Sequence, residues 1–415
     1  MVIGDDFLWA SRQDGIIVDK TLVCKALLES PDKAVRICLP RCFGKTFNLS
    51  IIAQFFNPVT VNYRFGDTGK PDLDVARKQR RQLFCGSLLE QHHPDFVEKH
   101  FASTPVIHID FKAATVWVKV YAAPELLKDC ARAKYKALED AYSRAGTCLR
   151  GKIYSNCSGC GILAYRLFKE LSRFLVAQHG GKYIILVDEY DQPLEAALWK
   201  EWQADADNAY LGFLKKMFKD NDDLAKGLLV GDHEFKLSDR GSDQRIAKEL
   251  SLTTGRYRGG DAKTADTGDE GPGPLAALFA FTKEDVTELT RRTRQVSKRA
   301  CSHSQEDIMD IIESWYGGYD FGFPTKRYNP WSVLKFLRRL IGRSTCPSGR
   351  TDLSSTDEVV THLLHLGYLT MSPGNGVRIP NREARGVWNK SNYYTVFDNE
   401  FDDEFDDECD DEYDD

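Results

Sequence analysis

Short, mainly apolar runs mark four candidate strands along the chain. The runs are AVRICL at residues 34–39, PVIHIDF at 105–111, YIILV at 183–187 and LAKGLLVG at 224–231. The run YIILV is continuous, without polar positions, which is typical of a strand buried on both faces of a parallel sheet. Patterns with helical spacing lie between the four runs. The chain is therefore predicted to have an α/β core in which helices flank a parallel sheet.

Apolar residues at helical spacing predict a helix directly after the first run, from Lys45 to the Asn57-Pro58 break. Further helices are predicted at 21–28, 122–149, 162–178, 208–220, 330–341 and 357–366, with one that Thr282 would cap. The helix at 357–366 precedes two short strands, 367–371 and 377–379, around the turn PGNG. This arrangement is typical of a winged-helix-like unit.

The turn between the first strand and the first helix carries candidate chemistry. It reads PRCFG at residues 40–44 and is followed by Lys45 and Thr46. A helix start leaves backbone N–H groups unpaired and carries a partial positive charge, so it attracts phosphate. Lys45 would stabilise the β- and γ-phosphates, Thr46 would offer a hydroxyl to Mg²⁺, and Gly44 would let the backbone approach. Leu39 replaces the first glycine of the full pattern, so an ordinary strand-to-helix turn is the alternative.

A second polar cluster stands at the end of the third apolar run, where Asp188 and Glu189 follow YIILV. In phosphoryl-transfer sites an aspartate at this place holds Mg²⁺, and the next carboxylate orients the attacking water as general base. A surface acidic turn is the alternative. Asp110 ends the second run, and both a ligand-side role and a strand-end cap suit it.

These motifs resemble those of the AAA-ATPase-like proteins, a divergent P-loop family often followed by a nuclease-like domain. The family loop usually reads RPRRFGKT, against LPRCFGKT at residues 39–46 here, and its acidic motif DEYD is intact at 188–191. Further matches are VDKT at 18–21, WYGGY at 315–319, YNPWS at 328–332, GYLT at 367–370 and IPN at 379–381. The resemblance runs from about residue 7 to about residue 385.

The resemblance implies a P-loop NTPase core that uses ATP and Mg²⁺. It implies catalytic roles for Lys45 and Glu189, and a metal site at Thr46 and Asp188. It also implies contacts with the nucleotide for a wider set, namely Asp19, Arg41, Phe43, Gly44, Lys45 and Thr46. Asp19 equally suits a plain helix cap.

The chain departs from the family pattern at the end of the fourth run. The family commonly has Leu-Thr-Gly there, whose hydroxyl would sense the γ-phosphate, and this chain has LVG at 229–231. One arginine among Arg240, Arg245 and Arg256 is expected to reach the phosphate. The aromatic residues between 315 and 331 are expected to pack in the core. About thirty-five residues follow the IPN segment, so a nuclease domain and nuclease activity are not expected.

Charge is distributed unevenly along the chain. Residues 398–415 contain thirteen acidic residues, and their removal changes the formal net charge from −6 to +7. A mildly basic body permits contact with nucleic acid, as does the basic run RKQRR at 77–81. The alternatives are a solvated surface and the exposed face of a helix.

Targeting and cysteine patterns limit the classes of protein to which the chain can belong. No apolar run approaches the roughly 18 residues that span a bilayer, and the N-terminus lacks a secretory pattern. We therefore expect no membrane partner and an intracellular chain, cytoplasmic or nuclear. The eleven cysteines are expected to be reduced thiols, and the pair Cys157 and Cys160 lacks the further ligands that zinc needs.

Together these patterns predict four segments. They are a P-loop AAA-ATPase-like core at 1–254, a linker at 255–274, a helical lid and winged-helix-like region at 275–385, and an acidic low-complexity tail at 386–415. The expected function is a Mg²⁺-dependent ATPase that acts as a conformational switch. The alternative is a degenerate module that does not hydrolyse nucleotide and works through an unknown protein partner or nucleic acid. Leu39, Cys42 and Val230 favour that alternative.

Overall fold

The computed structural model describes Phe7 and, with gaps, residues 17–385. The described ranges are 17–58, 73–111, 117–121, 168–169, 172–173, 175–177, 180–192, 214, 217–218, 221–233, 248–251, 274–296, 304–320, 325–340, 368–372, 376–382 and 384–385. The Cys157 and Cys160 pair, the predicted helices at 122–149 and 357–366, residues 255–273 of the predicted linker and the acidic tail lie outside these ranges.

The strands of the described chain form one larger sheet and one hairpin. The strands are β1 (Ala34–Cys38), β2 (Val106–Asp110), β3 (Trp117–Tyr121), β4 (Tyr183–Asp188), β5 (Leu224–Gly231), β6 (Lys248–Ser251), β7 (Thr370–Ser372) and β8 (Gly376–Arg378). The larger sheet has the order β3-β2-β4-β5-β1-β6, and β7 pairs with β8. Only β3 runs antiparallel to its neighbour in the larger sheet. All four apolar runs are therefore confirmed as strands of an α/β fold.

The register of the sheet aligns the carboxyl ends of the central strands. Asp110 lies opposite Asp188, and Cys38 lies opposite Gly231. Every residue of β1 and β4 is buried, as expected for strands covered on both faces. Ligands of open parallel sheets bind at this carboxyl edge, which is where the loop before Lys45 and the acidic motif emerge.

Nine helices are described around and beyond the sheet. They are α1 (Val23–Glu29), α2 (Lys45–Phe56), α3 (Leu73–Gln82), α4 (Leu88–His92), α5 (Pro94–His100), α6 (Pro274–Ala277), α7 (Lys283–Val296), α8 (Gln305–Tyr316) and α9 (Pro330–Leu340). The helix α2 begins and ends as its pattern predicts. It is buried on almost every side from Asn48 to Phe56, which identifies it as a central helix of the fold.

An aromatic cluster packs the end of α2 against the neighbouring helices. The ring of Phe55 lies 5.3 Å from that of Phe84 and 5.7 Å from that of Phe101. Arg80 enters this cluster from α3, with its guanidinium 5.1 Å from the Phe101 ring and a hydrogen bond from Nη2 to the carbonyl of Asn57. Burial lowers the pKa of Arg80 to about 10. The expectation that the whole basic run faces solvent is therefore wrong for Arg80, because its stem and charge pack inside.

A second core joins α7, α8 and α9 through residues such as Val286, Ile312 and Leu337. Thr282 caps α7 as predicted, since its Oγ1 accepts from Asp285 N at 3.2 Å. The core of the sheet also includes residues beyond the predicted boundary at 254, namely Leu275, Ala276, Phe279, Ala280 and Tyr319. The four-segment division and the winged-helix-like unit stay predictions.

Among the residues that the structure describes, no helix combines the length and the apolar composition that crossing a membrane requires.

Candidate functional site

The loop from Pro40 to Gly44 joins β1 to α2 through two residues in the left-handed region. The φ angle is 67° at Cys42 and 77° at Gly44. Gly44 is the N-cap of α2, and its carbonyl accepts from Asn48 N at 3.0 Å. Glycine adopts this conformation freely, whereas cysteine does so with strain. Such backbone at a helix start presents N–H groups that bind anions.

Lys45 is buried, and its side chain folds back over the loop. Its Nζ donates to the carbonyls of Leu39 at 3.0 Å and Pro40 at 3.1 Å, and pairs with Oδ1 of Asp232 at 2.5 Å. Burial opposes the charged form, but the carboxylates of Asp232 and Glu189 outweigh it and raise the pKa of Lys45. Lys45 is therefore a fixed positive charge at the loop.

Asp232 is the site residue that sequence reasoning missed. It directly follows β5, its side chain is 1% exposed, and its Oδ2 accepts from Nε of Arg41 at 2.8 Å. Burial alone would raise the pKa of Asp232, but Lys45 and Arg41 hold it below its usual range. Its position carried a usable signal, because a carboxylate that follows a parallel strand lies at the edge where ligands bind.

Asp188 and Glu189 stand at the end of β4, on the same edge of the sheet. Asp188 is buried, and one of its carboxylate oxygens accepts from Glu189 N at 3.1 Å. Glu189 adopts a φ of 51°. Burial first, and then the charge of Asp232, raises the pKa of Glu189 to about 8, although Lys45 opposes the shift. Carboxyl groups with pKa values in this range serve as acids or bases at neutral pH.

A comparison with protein families identifies the family to which the chain belongs. A family described as "Predicted AAA-ATPase" matches residues 4–239, which is more than half of the chain. The chain belongs to the AAA-ATPase-like family. Membership supports nucleotide binding, and the match spans Lys45, Glu189 and Asp232. Comparison with curated proteins and with solved structures gave no match.

The last two residues of the AAA-ATPase-like acidic motif support the turn that carries Asp232. Oδ2 of Asp191 accepts from the backbone N of Asp232 at 2.8 Å and of His233 at 2.7 Å. The hydroxyl of Tyr190 donates to the carbonyl of His233 at 2.6 Å and lies 3.3 Å from the sulfur of Cys38. This half of the motif therefore holds protein backbone.

Asp19 accepts hydrogen bonds in the turn that precedes α1. Its Oδ1 accepts from Thr21 N at 2.8 Å and from the Thr21 hydroxyl at 2.6 Å, and Oδ2 accepts from Leu88 N at 2.7 Å. These bonds join the start of α1 to the start of α4. The next residue, Lys20, pairs with Asp285 at 2.6 Å and ties this segment to α7. The N-cap of α1 is Leu22 and it has no side-chain cap, so the structure does not confirm Asp19 as the cap of that helix. A contact of Asp19 with nucleotide stays a prediction.

Phe43 anchors the loop of this AAA-ATPase-like core to the WYGGY segment. Its ring is fully buried and lies 5.0 Å from the ring of Tyr319 in an edge-to-face arrangement. A direct contact of Phe43 with nucleotide stays a prediction. The expectation that every aromatic residue between 315 and 331 packs in the core is confirmed for Tyr319 and Tyr328. It is wrong for Trp315 and Trp331, which lie near helix ends and are each 42% exposed.

Several predicted ligands are not described by the structure. Arg240, Arg245 and Arg256 lie outside the described ranges. In the described part of the chain, no group of three or more His, Cys, Asp or Glu residues suits a metal ion. Arg41 is the arginine that the structure brings to Lys45, through the Asp232 carboxylate that both contact.

Proposed function

We propose that this member of the AAA-ATPase-like family binds Mg-ATP and hydrolyses it to ADP and phosphate as a conformational switch. One observation carries the proposal. The electrostatic environment of Lys45, on the loop between β1 and α2, includes Glu189 at the end of β4, although the two residues are far apart in sequence. Lys45 and the carboxylates that follow β4 thus lie at the same carboxyl edge of the sheet, where ligands of parallel sheets bind, and this supports the assignment of the two segments to one nucleotide site.

The proposal assigns a role to each of four residues, namely Lys45, Glu189, Thr46 and Asp188. Lys45 stabilises the transferring phosphoryl group, and Glu189 accepts a proton from the attacking water. Thr46 and Asp188 supply the oxygen ligands that Mg²⁺ prefers, a half-buried hydroxyl at the start of α2 and a buried carboxylate at the end of β4. The donor chemistry therefore fits the ion. When bound, Mg²⁺ would neutralise charge on the phosphates.

The contacts of the loop suggest how a change at the phosphates spreads. Phe43 stands two residues before Lys45 and packs on Tyr319. Arg41 stands on the same loop and pairs with the turn after β5. A loop that adjusts to nucleotide would therefore move contacts both with the WYGGY segment and with the end of β5, as a switch requires.

The first test is the thermal midpoint of the purified chain with and without Mg-ATP, beside Lys45→Ala. Ligand at about 100 times its dissociation constant adds about 2.7 kcal/mol, or a shift of about 5–10 °C for a domain of this size. We expect the shift in the native chain and none in the variant. No shift of the native chain at millimolar nucleotide would remove ATP binding from the proposal.

The second test separates binding from turnover. Glu189→Gln keeps the shape of the side chain and removes its basicity, so we expect nucleotide affinity to persist and turnover to fall by about 100-fold or more. Lys45→Ala should reduce affinity itself. Equal loss of affinity in both variants would contradict the separate roles of Lys45 and Glu189.

A second candidate is a degenerate module that holds nucleotide weakly and acts through a protein or nucleic-acid partner. The Asp232 contact favours it, because Lys45 is already neutralised in this structure. Binding to a DNA fragment that weakens as salt rises would support a nucleic-acid partner. No binding at low salt would remove that partner.

A further inference from the structure

One carboxylate contacts both cations of the loop. Asp232 presents Oδ1 to Lys45 Nζ at 2.5 Å and Oδ2 to Arg41 Nε at 2.8 Å. The two cations are therefore spaced to hold two oxygens of one small anion. The described chain repeats the pattern on the surface of α7, where Glu288 pairs with Arg291 at 2.7 Å and Arg292 at 2.6 Å.

A terminal phosphoryl group offers the same feature to a pair of cations, namely neighbouring oxygens that share negative charge. A guanidinium and an ammonium are the side chains that most often take such oxygens. Lys45 and Arg41 both belong to the loop whose backbone suits phosphate. In this structure Asp232 takes the contacts that these two cations would give to a phosphoryl group.

The backbone of Asp232 and its side chain are held in different ways. The backbone turn is fixed by the Asp191 carboxylate, which accepts from N of Asp232 and of His233. The contacts described for the Asp232 carboxylate are to Lys45 and Arg41. A change of side-chain rotamer would thus release both cations while the turn stays in place.

We propose that Asp232 is an internal anion that the terminal phosphate of a nucleoside triphosphate displaces from Lys45 and Arg41. The inference rests on the proposed function, because it names residues that recognise the nucleotide. Arg41 then contacts the phosphate once Asp232 has withdrawn. Asp232 also lowers the apparent affinity, because only molecules with a withdrawn carboxylate accept phosphate.

The experiment is a calorimetric titration of the native chain and of Asp232→Asn with two probes, tripolyphosphate and Mg-ATP. Asparagine keeps the shape of the side chain and removes its charge. We expect affinity for both probes to rise about tenfold, the factor for a native chain that is competent about 10% of the time. Glu288→Gln is the matched control, since it removes a carboxylate between two arginines away from the loop, and its affinities should equal those of the native chain.

The outcomes separate this inference from the proposed function. A gain for tripolyphosphate without binding of Mg-ATP supports the displaced anion and overturns the ATPase proposal. Binding of Mg-ATP with equal or lower affinity in Asp232→Asn overturns the displaced anion and leaves ATP binding intact. A gain of the same size in Glu288→Gln would mean that the affinity responds to the net charge of the chain and not to Asp232 itself. That result also overturns the inference.

Folding of the variants is checked by their thermal midpoints without ligand. Asp232→Ser, which also lacks the charge, repeats the titration if Asp232→Asn does not fold. If neither variant folds, the carboxylate is a structural requirement rather than a displaceable anion, and the inference is overturned.

Discussion

The turn after β5 depends on one carboxylate, so its removal by Asp191→Ala is a direct perturbation of the site. Oδ2 of Asp191 accepts from N of Asp232 at 2.8 Å and from N of His233 at 2.7 Å, and lies 3.2 Å from Nδ1 of His233. All three residues are buried. Alanine would leave two backbone donors without an acceptor, away from water.

The magnitude follows from two opposing effects. Hydrogen bonds to a charged group contribute about 1.5–3 kcal/mol each, so two lost bonds destabilise the fold by about 3–6 kcal/mol. Oδ1 of Asp191 has no hydrogen-bond partner in the described structure, and removing that desolvated oxygen returns about 1–3 kcal/mol. The loss is larger than the return, and the expected destabilisation is about 2–3 kcal/mol. Asp191→Asn keeps an acceptor and should lose about 1–2 kcal/mol.

Equilibrium urea unfolding, followed by tryptophan fluorescence, measures these losses. Hydrogen exchange of the peptide that contains residues 231–233 reports the turn itself, and its amides should exchange faster in Asp191→Ala than in Asp191→Asn. The reasoning fails if Asp191→Ala lies within about 1 kcal/mol of the native chain with unchanged exchange, because the two hydrogen bonds would then contribute nothing to the turn.

Two further substitutions test the packing around the site, and a third tests a helix cap. Phe43→Ala should destabilise the chain by about 3–5 kcal/mol, because a buried ring on Tyr319 is lost; a loss below about 1 kcal/mol in urea unfolding would contradict that packing. Gly231→Ala should cost about 1–3 kcal/mol in the same assay, because its Cβ would collide with the Asp191 carboxylate. Ser304→Ala removes the capping box of α8 and should lower stability by about 1 kcal/mol, whereas an unchanged midpoint would show that the cap is dispensable.

The strands and the central helix could be predicted because their signals are local. An apolar run indicates a buried strand wherever it stands, and the spacing of Phe47, Ile51 and Phe55, four residues apart, indicates a helix. The order of the strands is not local. β5 lies between β1 and β4 in the sheet, and no property of either run specifies its neighbour. The inward orientation of the Arg80 side chain likewise depends on its contacts with Phe101 and Asn57, which lie outside its own helix.

The motifs predict roles for Lys45 and Glu189, but no motif indicates Asp232, the electrostatic partner of Lys45. Lys45 and Asp232 are 187 positions apart, and their ion pair forms only because β1 and β5 are neighbours in register. Val230 stands where the family commonly has a residue with a hydroxyl. Asp232, two positions later, is the residue whose charge pairs with Lys45 and Arg41 of the loop. A search of every residue that follows a buried strand would have found Asp232.

Strained backbone occurs in both segments of the site, the loop between β1 and α2 and the acidic motif after β4. Among the described residues, three that are not glycine have positive φ, namely Cys42, Ala102 and Glu189. Cys42 lies in the loop between β1 and α2 and Glu189 lies in the acidic motif, and each such conformation costs about 1–2 kcal/mol.

The positive φ of Glu189 affects the exposure of its side chain. Asp188 and Tyr190 are buried, while Glu189 between them is partly exposed. A regular strand would alternate its side chains between two covered faces. The left-handed residue lets the two consecutive carboxylates differ, so that Asp188 is fully buried at the sheet edge and Glu189 is half-buried. The expected consequence is that Glu189→Gly retains the fold, since glycine accepts this φ more readily, and loses only the chemistry. Unfolding in urea at or above the native midpoint, together with lost turnover and retained Mg-ATP affinity, is the result expected of a strained catalytic position. A fold weakened by this change would instead assign the Glu189 side chain to structure.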